Sequence, residues 1–472
     1  QKQFFPRSDR PEVVVSVYLP QGSSIAATER TVKKLEAILA PLPEVRSLSA
    51  YIGAGAPRFF ISANPEAPNP AFAKLIAVTA DAQARDRVMA TLRGHIEQGE
   101  FPEARVRVYG LLYGPPVIWP VGFRVIGPDP LVLRDIAHQV RSVMAANPQV
   151  VDPHLEWDER APILFLAMEV ERLHLLGLTP RDVAEQLQSQ LEGRAITQLR
   201  QDIRTVEVIA RGASGGRRLA ADSLDELEIL TRDGTKVPVS QLGRIEVRFE
   251  DPVIKRLNRE PFLAVQADVR GAQPNDVTAA LWQALAGVRE GLPTGYRLDI
   301  SGAVEESGKA DASIQKLQPV MVAVMLIFIM LQMRSFAGTF IVVATAPLGL
   351  IGAVLALLLF DQPFGFVALL GLTGLAGILM RNTLILTQQV ADNFEEGLPA
   401  LAGVVEAAGQ RGPPLGLTAP APVFPFLPLP PGSFWGPLAY VLIGGVAVGT
   451  AITLLFVPAL YALWFRLRPE GR

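Results

Sequence analysis

Arg381 is the residue of this sequence whose type and place carry the most chemistry. It stands in an apolar run that begins at Gln362 and continues past it to Ala391. A cation inside hydrocarbon costs roughly 2.5–3.5 kcal/mol on insertion scales and is ordinarily paired and functional. The other reading ends the span at Met380 and leaves Arg381 facing water, since 362–380 is long enough alone. Both readings stand. Asp361 sits at the far end of this span, so a partner for a buried Arg381 is expected outside this chain. Other chemistry is thin. The chain has no cysteine, which excludes thiol catalysis, disulfides and cysteine metal sites. His95, His138, His154 and His174 show no ligand spacing, so zinc is not expected. No GxxxxGK[ST] loop offers ATP a phosphate cradle. Gly53-Ala54-Gly55 lacks the third glycine and the strand–turn–helix setting of a dinucleotide site, and reads as a flexible loop. His154 with Asp152, Glu156, Asp158 and Glu159 reads as a solvated acidic loop. The methionines of the soluble part do not pair, which argues against soft-metal transport. No hydrolytic or redox centre emerges, and the chain is not read as an enzyme.

The elements that must position Arg381 show in the charge distribution. The chain has 472 residues with 44 Lys+Arg and 46 Asp+Glu, a near-neutral balance that excludes a nucleic-acid footprint. Between 317 and 465 only eight charged residues occur: Arg334, Asp361, Arg381, Asp392, Glu395, Glu396, Glu406 and Arg411. Spanning a bilayer takes about 20 mostly apolar residues, so five spans are expected, over 317–334, 335–360, 363–391, 412–431 and 434–465. Arg334, Arg411 and the tail arginines Arg466, Arg468 and Arg472 fall in alternate loops, which places those loops in the cytoplasm and the 315-residue soluble part outside it. Gly445 and Gly449, and Gly371, Gly374 and Gly377, sit at helical spacing and suit close helix packing. Neither a signal peptide nor an initiator Met opens the chain, so an upstream segment, most simply another membrane helix, is expected.

Periodicity and turn signals divide the soluble part into β-α-β-β-α-β units. The first has strands at 11–19, 45–52, 72–79 and 104–109 and helices at 24–39 and 81–97. The second starts with a strand at 121–126 and a helix at 130–146. It resumes with a strand at 261–269, a helix at 275–290 and a strand at 297–301. Residues 162–258 read as an insertion with a helix at 180–190 and strands at 205–210, 237–239 and 244–249. A helix at 304–315 leads into the first span. The expected fold is α+β, two ferredoxin-like units with an inserted subdomain, followed by an all-α membrane bundle of five helices.

The sequence resembles the C-terminal half of a resistance–nodulation–division (RND) transporter of the hydrophobe/amphiphile efflux branch. The residues that carry the likeness are Phe4-Phe5-Pro6, Ser8-Asp9-Arg10-Pro11-Glu12, Leu19-Pro20-Gln21-Gly22-Ser23 and Gly302-Ala303-Val304-Glu305-Glu306-Ser307. Further on come Ala346-Pro347-Leu348-Gly349, Phe364-Gly365-Phe366, Met380-Arg381-Asn382, Phe434-Trp435-Gly436-Pro437 and Val457-Pro458-Ala459-Leu460-Tyr461. The resemblance covers almost the whole chain.

The resemblance implies a proton-driven export pump of hydrophobic or amphiphilic compounds in the inner membrane, with its large domain in the periplasm. It implies porter subdomains at 1–115 and at 116–160 with 260–303, a docking subdomain at 161–259, and a membrane bundle at 304–472. A homotrimer, a periplasmic adaptor, an outer-membrane channel and a missing N-terminal half are the implied partners. No cofactor beyond the proton gradient is implied. For the proton relay, Arg381 matches a family lysine, and Arg411 and Thr418 match an arginine and a threonine; the family's two acids are not in this chain. Arginine keeps the charge but does not titrate. For the substrate, the family's switch loop corresponds to 51–60, which makes Tyr51, Phe59 and Phe60 candidates. Leu112, Tyr113, Val117, Ile118 and Trp119 form a second group, with Tyr113 and Trp119 its aromatic candidates. Core packing is the alternative role for each ring. Gly412–Pro431 departs from the family with eight prolines, a broken span or a local sequence error. Two other readings of the whole remain: a membrane-anchored periplasmic binding or docking scaffold that transports nothing, and a decayed pump fragment.

Overall fold

The computed structural model describes residues 2–3, 8–114, 117–156, 160–210, 227–418 and 421–467. Phe4-Phe5-Pro6, Asp158, Glu159, Arg468 and Arg472 lie outside the described residues. The chain divides into two compact units, residues 1–157 with 254–472, and residues 158–253.

The first unit opens with a short strand, β1 (Lys2–Gln3), followed by β2 (Glu12–Tyr18), α1 (Ile25–Leu39), β3 (Val45–Ile52), β4 (Phe72–Thr79), α2 (Ala82–Glu97) and β5 (Arg105–Gly110). Both helices start where a side-chain oxygen meets a free amide: Ser24 accepts from Ala27 N and Asp81 from Ala84 N. The four longer strands form one antiparallel sheet in the order β3-β4-β2-β5. Alternation sorts its residues. Val13, Val15 and Val17 with Ala73, Leu75, Val106 and Val108 meet Val32, Leu35, Leu39, Val88 and Leu92 in one core. The other parity puts Tyr51, Lys74, Ser16 and Arg107 on one rung of the opposite face.

A second sheet follows: β6 (Val121–Ile126), α3 (Pro130–Ala145) and β7 (Val150–Leu155) come before the insertion. The strand β7 is absent from the sequence expectation, because Asp152 and Pro153 break the alternation. The inserted unit holds β8 (Ala161–Met168), α4 (Val170–Leu175), α5 (Pro180–Leu191), β9 (Arg194–Gln201), β10 (Arg204–Ala210), β11 (Glu228–Leu230), β12 (Lys236–Pro238) and β13 (Gly243–Glu250). Its strands pair as β8–β13, β9–β10 and β11–β12, around Leu173, Leu178, Val183, Ile229 and Leu242.

The second sheet resumes with β14 (Lys255–Leu257), β15 (Glu260–Val269), α6 (Pro274–Ala284), α7 (Ala286–Glu290) and β16 (Arg297–Gly302). The helix expected over 275–290 is thus two pieces that meet at Leu285. In this sheet β6 lies between β15 and β16, and β7 pairs with β15. The order matches the first sheet: the first strand is flanked by the third and fourth, and the second pairs with the third.

The membrane part is α8 (Ala303–Met333), α9 (Phe336–Ala344), α10 (Leu348–Leu359), β17 (Phe364–Gly365), α11 (Phe366–Glu395), α12 (Ala400–Thr418) and α13 (Gly436–Trp464). The expected 304–315 helix and first span are one continuous helix, α8. Its first amide, on Ala303, donates to Pro120 O at 2.9 Å. Among the described residues four helices are long and apolar enough to cross a membrane: Ala303–Met333, Phe336–Leu359, Phe366–Glu395 and Gly436–Trp464. The expected fifth, over 412–431, is not one helix. The α12 helix ends at Thr418, and after 421 the chain makes turns and one short 3-10 turn at Phe424–Phe426. Proline has no N–H to continue a helix, and this stretch has eight.

Candidate functional site

The α11 helix presents two unlike faces. Gly371, Leu375, Leu379, Thr383, Leu386, Thr387 and Val390 are buried. Leu370, Thr373, Gly374, Gly377, Arg381, Ile385 and Gln388 form an exposed stripe at helical spacing. Arg381 sits on this stripe, and among the described residues nothing pairs with it. The glycines separate the same way. A Cβ on Gly371 would meet Val441 at 3.1 Å, whereas one on Gly377 would meet open space. On α13, Gly445 lies against Leu375, and a Cβ on Gly449 would reach Leu379 at 2.9 Å. The α11–α13 pair is therefore packed closely, with leucine methyls of α11 seated on the glycines of α13 and Arg381 on the exposed side of α11.

Arg411 is half-buried on α12, and its Nε is shut from solvent with no acceptor among the described residues. Thr418 is the last helical residue of α12. No hydrogen bond joins Arg381 to Arg411 among the described residues. Sequence reasoning missed a set of buried hydroxyls. Thr383 Oγ1 donates to Thr345 Oγ1 at 2.9 Å, and Thr387 Oγ1 to the Thr383 carbonyl at 3.0 Å. On α13, the Thr450 and Thr453 hydroxyls are buried with no partner among the described residues. Threonines at intervals of three or four in uncharged spans were the available signal.

In the soluble part, Phe60 and Tyr113 come together. Their ring centroids are 6.0 Å apart, and Tyr113 is 4.9 Å from Phe434. Phe59 is exposed and Tyr51 is half-exposed, and neither meets another ring among the described residues. Trp119 is 7% exposed. Its ring lies 4.0 Å from the Arg107 guanidinium and 4.3 Å, edge-on, from His154. Burial, with the Arg105 and Arg107 cations nearby, pushes the His154 imidazole down to about 3. Its Nδ1 hydrogen-bonds the Asp152 carbonyl at 2.7 Å, so the ring is a neutral, buried group, not part of a solvated loop. Burial raises the Tyr18 phenol to about 12. Lys74 is buried beneath the loop 53–71 and pairs with Glu66 of that loop.

Two matching antiparallel sheets, each with helices, joined to a set of long apolar helices define the class: this is the architecture of RND transporters. Residues 1–464 match the AcrB/AcrD/AcrF family, and the chain belongs to it. Similar proteins include the cation efflux system protein CzcA of Alcaligenes sp. (strain CT14), 25% identical over 98% of this chain and 45% of that protein. The nickel and cobalt resistance protein CnrA of Cupriavidus metallidurans is 25% identical over 100% of the chain and 45% of its own length. The multidrug resistance protein MdtC of Yersinia enterocolitica is 23% identical over 99% and 45%. The chain thus spans a little under half the length of these relatives. A crystal structure of a heavy metal efflux pump has the same fold, with a TM-score of 0.74 and 21% identity over 100% of this chain and 48% of that one.

Proposed function

We propose that the chain is the C-terminal half of a proton-driven inner-membrane efflux transporter that exports hydrophobic or amphiphilic compounds by antiport. The observation that carries this reading is Arg381. A fixed cation on an otherwise small and apolar helix face calls for a carboxylate from elsewhere, and the chain lacks about half the length of its relatives. In this reading the acids lie on the upstream half. Arg381 stabilises their charged form, and proton loading weakens the pairing and biases one packing of the bundle over another. Arg411 and Thr418 complete the relay. The two sheets are ferredoxin-like porter units, the inserted unit docks to an adaptor or channel, and the assembly is a periplasm-facing trimer.

Aromatic clustering at Phe60 and Tyr113 favours amphiphilic cargo, since rings stack on flat apolar surfaces. Cation export is the second reading, favoured by the likeness to CzcA and CnrA. Efflux from cells making the intact gene product separates the two. An amphiphilic dye should be exported, and Arg381→Ala should abolish export while the protein stays in the membrane. Arg381→Lys should retain export with a shifted pH profile. Resistance to divalent cations with no dye export would replace the amphiphile by a cation. Undiminished export by Arg381→Ala would sink the relay.

A further inference from the structure

The membrane helices and the loop 53–71 are joined by a ladder of rings. Trp435 stands at the head of α13 and meets Phe434 edge-on at 4.8 Å. Phe434 is 4.9 Å from Tyr113, which follows β5, and Tyr113 is 6.0 Å from Phe60 in the loop. Beyond Phe60 the Arg10 guanidinium lies 5.2 Å from the ring centroid. A second tie runs in parallel: the Ser433 amide donates to Asp9 Oδ2 at 3.0 Å. The segment that holds Asp9 and Arg10 is itself fixed, because Arg85 donates to the Ser8 and Arg10 carbonyls at 2.5 and 2.9 Å. At its other end the ladder reaches a rigid pair, since Gly371, Gly445 and Gly449 leave α13 no slack against α11.

The loop itself is long, with few bonds of its own. Its backbone bonds gather at its ends: Gly53 N to Phe72 O, Asn69 N to Gly53 O, Phe72 N to Asn69 O and Leu19 N to Ala71 O, at 2.9, 2.9, 3.0 and 2.9 Å, with Ala63 N to Phe60 O at 3.1 Å and a longer one from Gly55 N to Glu66 O between them. A connection of this length without secondary structure is usually functional. The Lys74–Glu66 pair holds its far end to the sheet. Rings hold its near end.

We propose that Tyr113 is a positioning residue that fastens the loop 53–71 to the head of α13, so that the loop follows the α11–α13 pair. The inference rests on the reading that this loop faces the cargo and that α11 carries the proton relay. In this role Tyr113 sets where Phe59 and Phe60 stand when the bundle changes packing.

Amide hydrogen exchange in the intact protein tests this without any transport step. Tyr113→Ala and Phe434→Ala should each speed exchange across 53–71 by about tenfold, the scale of two lost ring pairs, and leave the β2–β4 amides unchanged. The double variant should exchange no faster than either single one, because both remove the same link. Tyr113→Phe should restore the parental rate. Phe434→Leu keeps apolar volume without a ring, so it covers the case where alanine destabilises the fold, and it should still speed the loop. Parental loop exchange in Phe434→Leu and Phe434→Ala would overturn the joint, as would additive effects in the double variant. That result would leave the pump reading standing. Export that survives Arg381→Ala would remove the relay reading and leave the joint.

Discussion

Arg107 donates from Nε and Nη2 to the two carboxylate oxygens of Asp268, at 2.7 and 2.8 Å, and so ties β5 of the first sheet to β15 of the second. The guanidinium lies 4.0 Å from the ring of Trp119 and 4.6 Å from that of Tyr109. Burial works against its charge, but Asp268 more than offsets this, and the pKa stays above its ordinary value. Two further pairs cross the same seam, Arg105–Asp152 and Arg270–Glu97.

Removing one member of a buried pair leaves the other uncompensated, which costs about 3–5 kcal/mol. Asp268 keeps part of its surface in water, so Arg107→Ala is expected to fall below that range, at about 1–3 kcal/mol. Arg107→Lys keeps the charge and loses the planar fork, so it should fall between alanine and the parent. Denaturant unfolding of the purified protein measures both. An unchanged midpoint for Arg107→Ala would mean that the exposed pairs hold the seam.

His154 makes the second prediction. Its pKa is about 3 in the fold against 6.5 as a free side chain. Between these values the unfolded chain binds the proton and the folded one does not. Stability therefore rises with pH across this window and is lost as pH falls from about 6.5 towards 3, by at most about 1.4 kcal/mol per unit. The Glu12 carboxyl, held low by the hydrogen bond from Arg10, adds a loss only below its ordinary 4.5. A His154→Gln variant should flatten the slope between pH 5 and 6.5. A slope identical to the parent's there would show that the imidazole protonates in place.

Much of this architecture was legible. Strands 45–52 and 72–79 are apolar-rich runs bounded by turn residues, and they form over those same residues. The seam was not legible, because Arg107 and Asp268 are 161 positions apart and nothing local marks them as partners. His154 read as part of a solvated loop for the same reason: the groups that bury it, Trp119 among them, are not its neighbours in sequence. On α11 the three glycines share one spacing but not one role, since only packing against α13 distinguishes Gly371 from Gly377. Arg381 stood out from composition alone, as a charge in an apolar run does.

The α11–α13 packing supplies the third prediction. Gly445→Leu would drive a side chain into the methyls of Leu375, which is itself held in the packed α11–α13 core. Overpacking of this kind costs about 1–3 kcal/mol. Gly377→Ala meets nothing within 4 Å in this chain and should raise its stability slightly, by about 0.5–1 kcal/mol from the helix backbone. Thermal unfolding in detergent compares the two. In the intact protein Gly377→Ala also tests the proposed pairing with upstream spans. A loss of stability there, absent from this chain alone, would mark the stripe as covered by the upstream half.

The last prediction concerns α12. Pro413 and Pro414 lie inside this helix, and both are exposed. Each lacks the N–H that would bond four residues back, so the carbonyls of Gly409 and Gln410 have no helical donor. The cost in a water-exposed helix is about 3 kcal/mol per proline, and in lipid no water replaces the missing donor. Because the rings are exposed, alanine removes little packing. Pro413→Ala with Pro414→Ala is therefore expected to stabilise the protein and slow amide exchange over 409–418. The half-buried Arg411 lies in this turn, so a firmer helix would also fix where its guanidinium stands. If exchange over 409–418 does not slow, the carbonyls are already satisfied in the membrane, and the proline run is a tolerated break and not a defect.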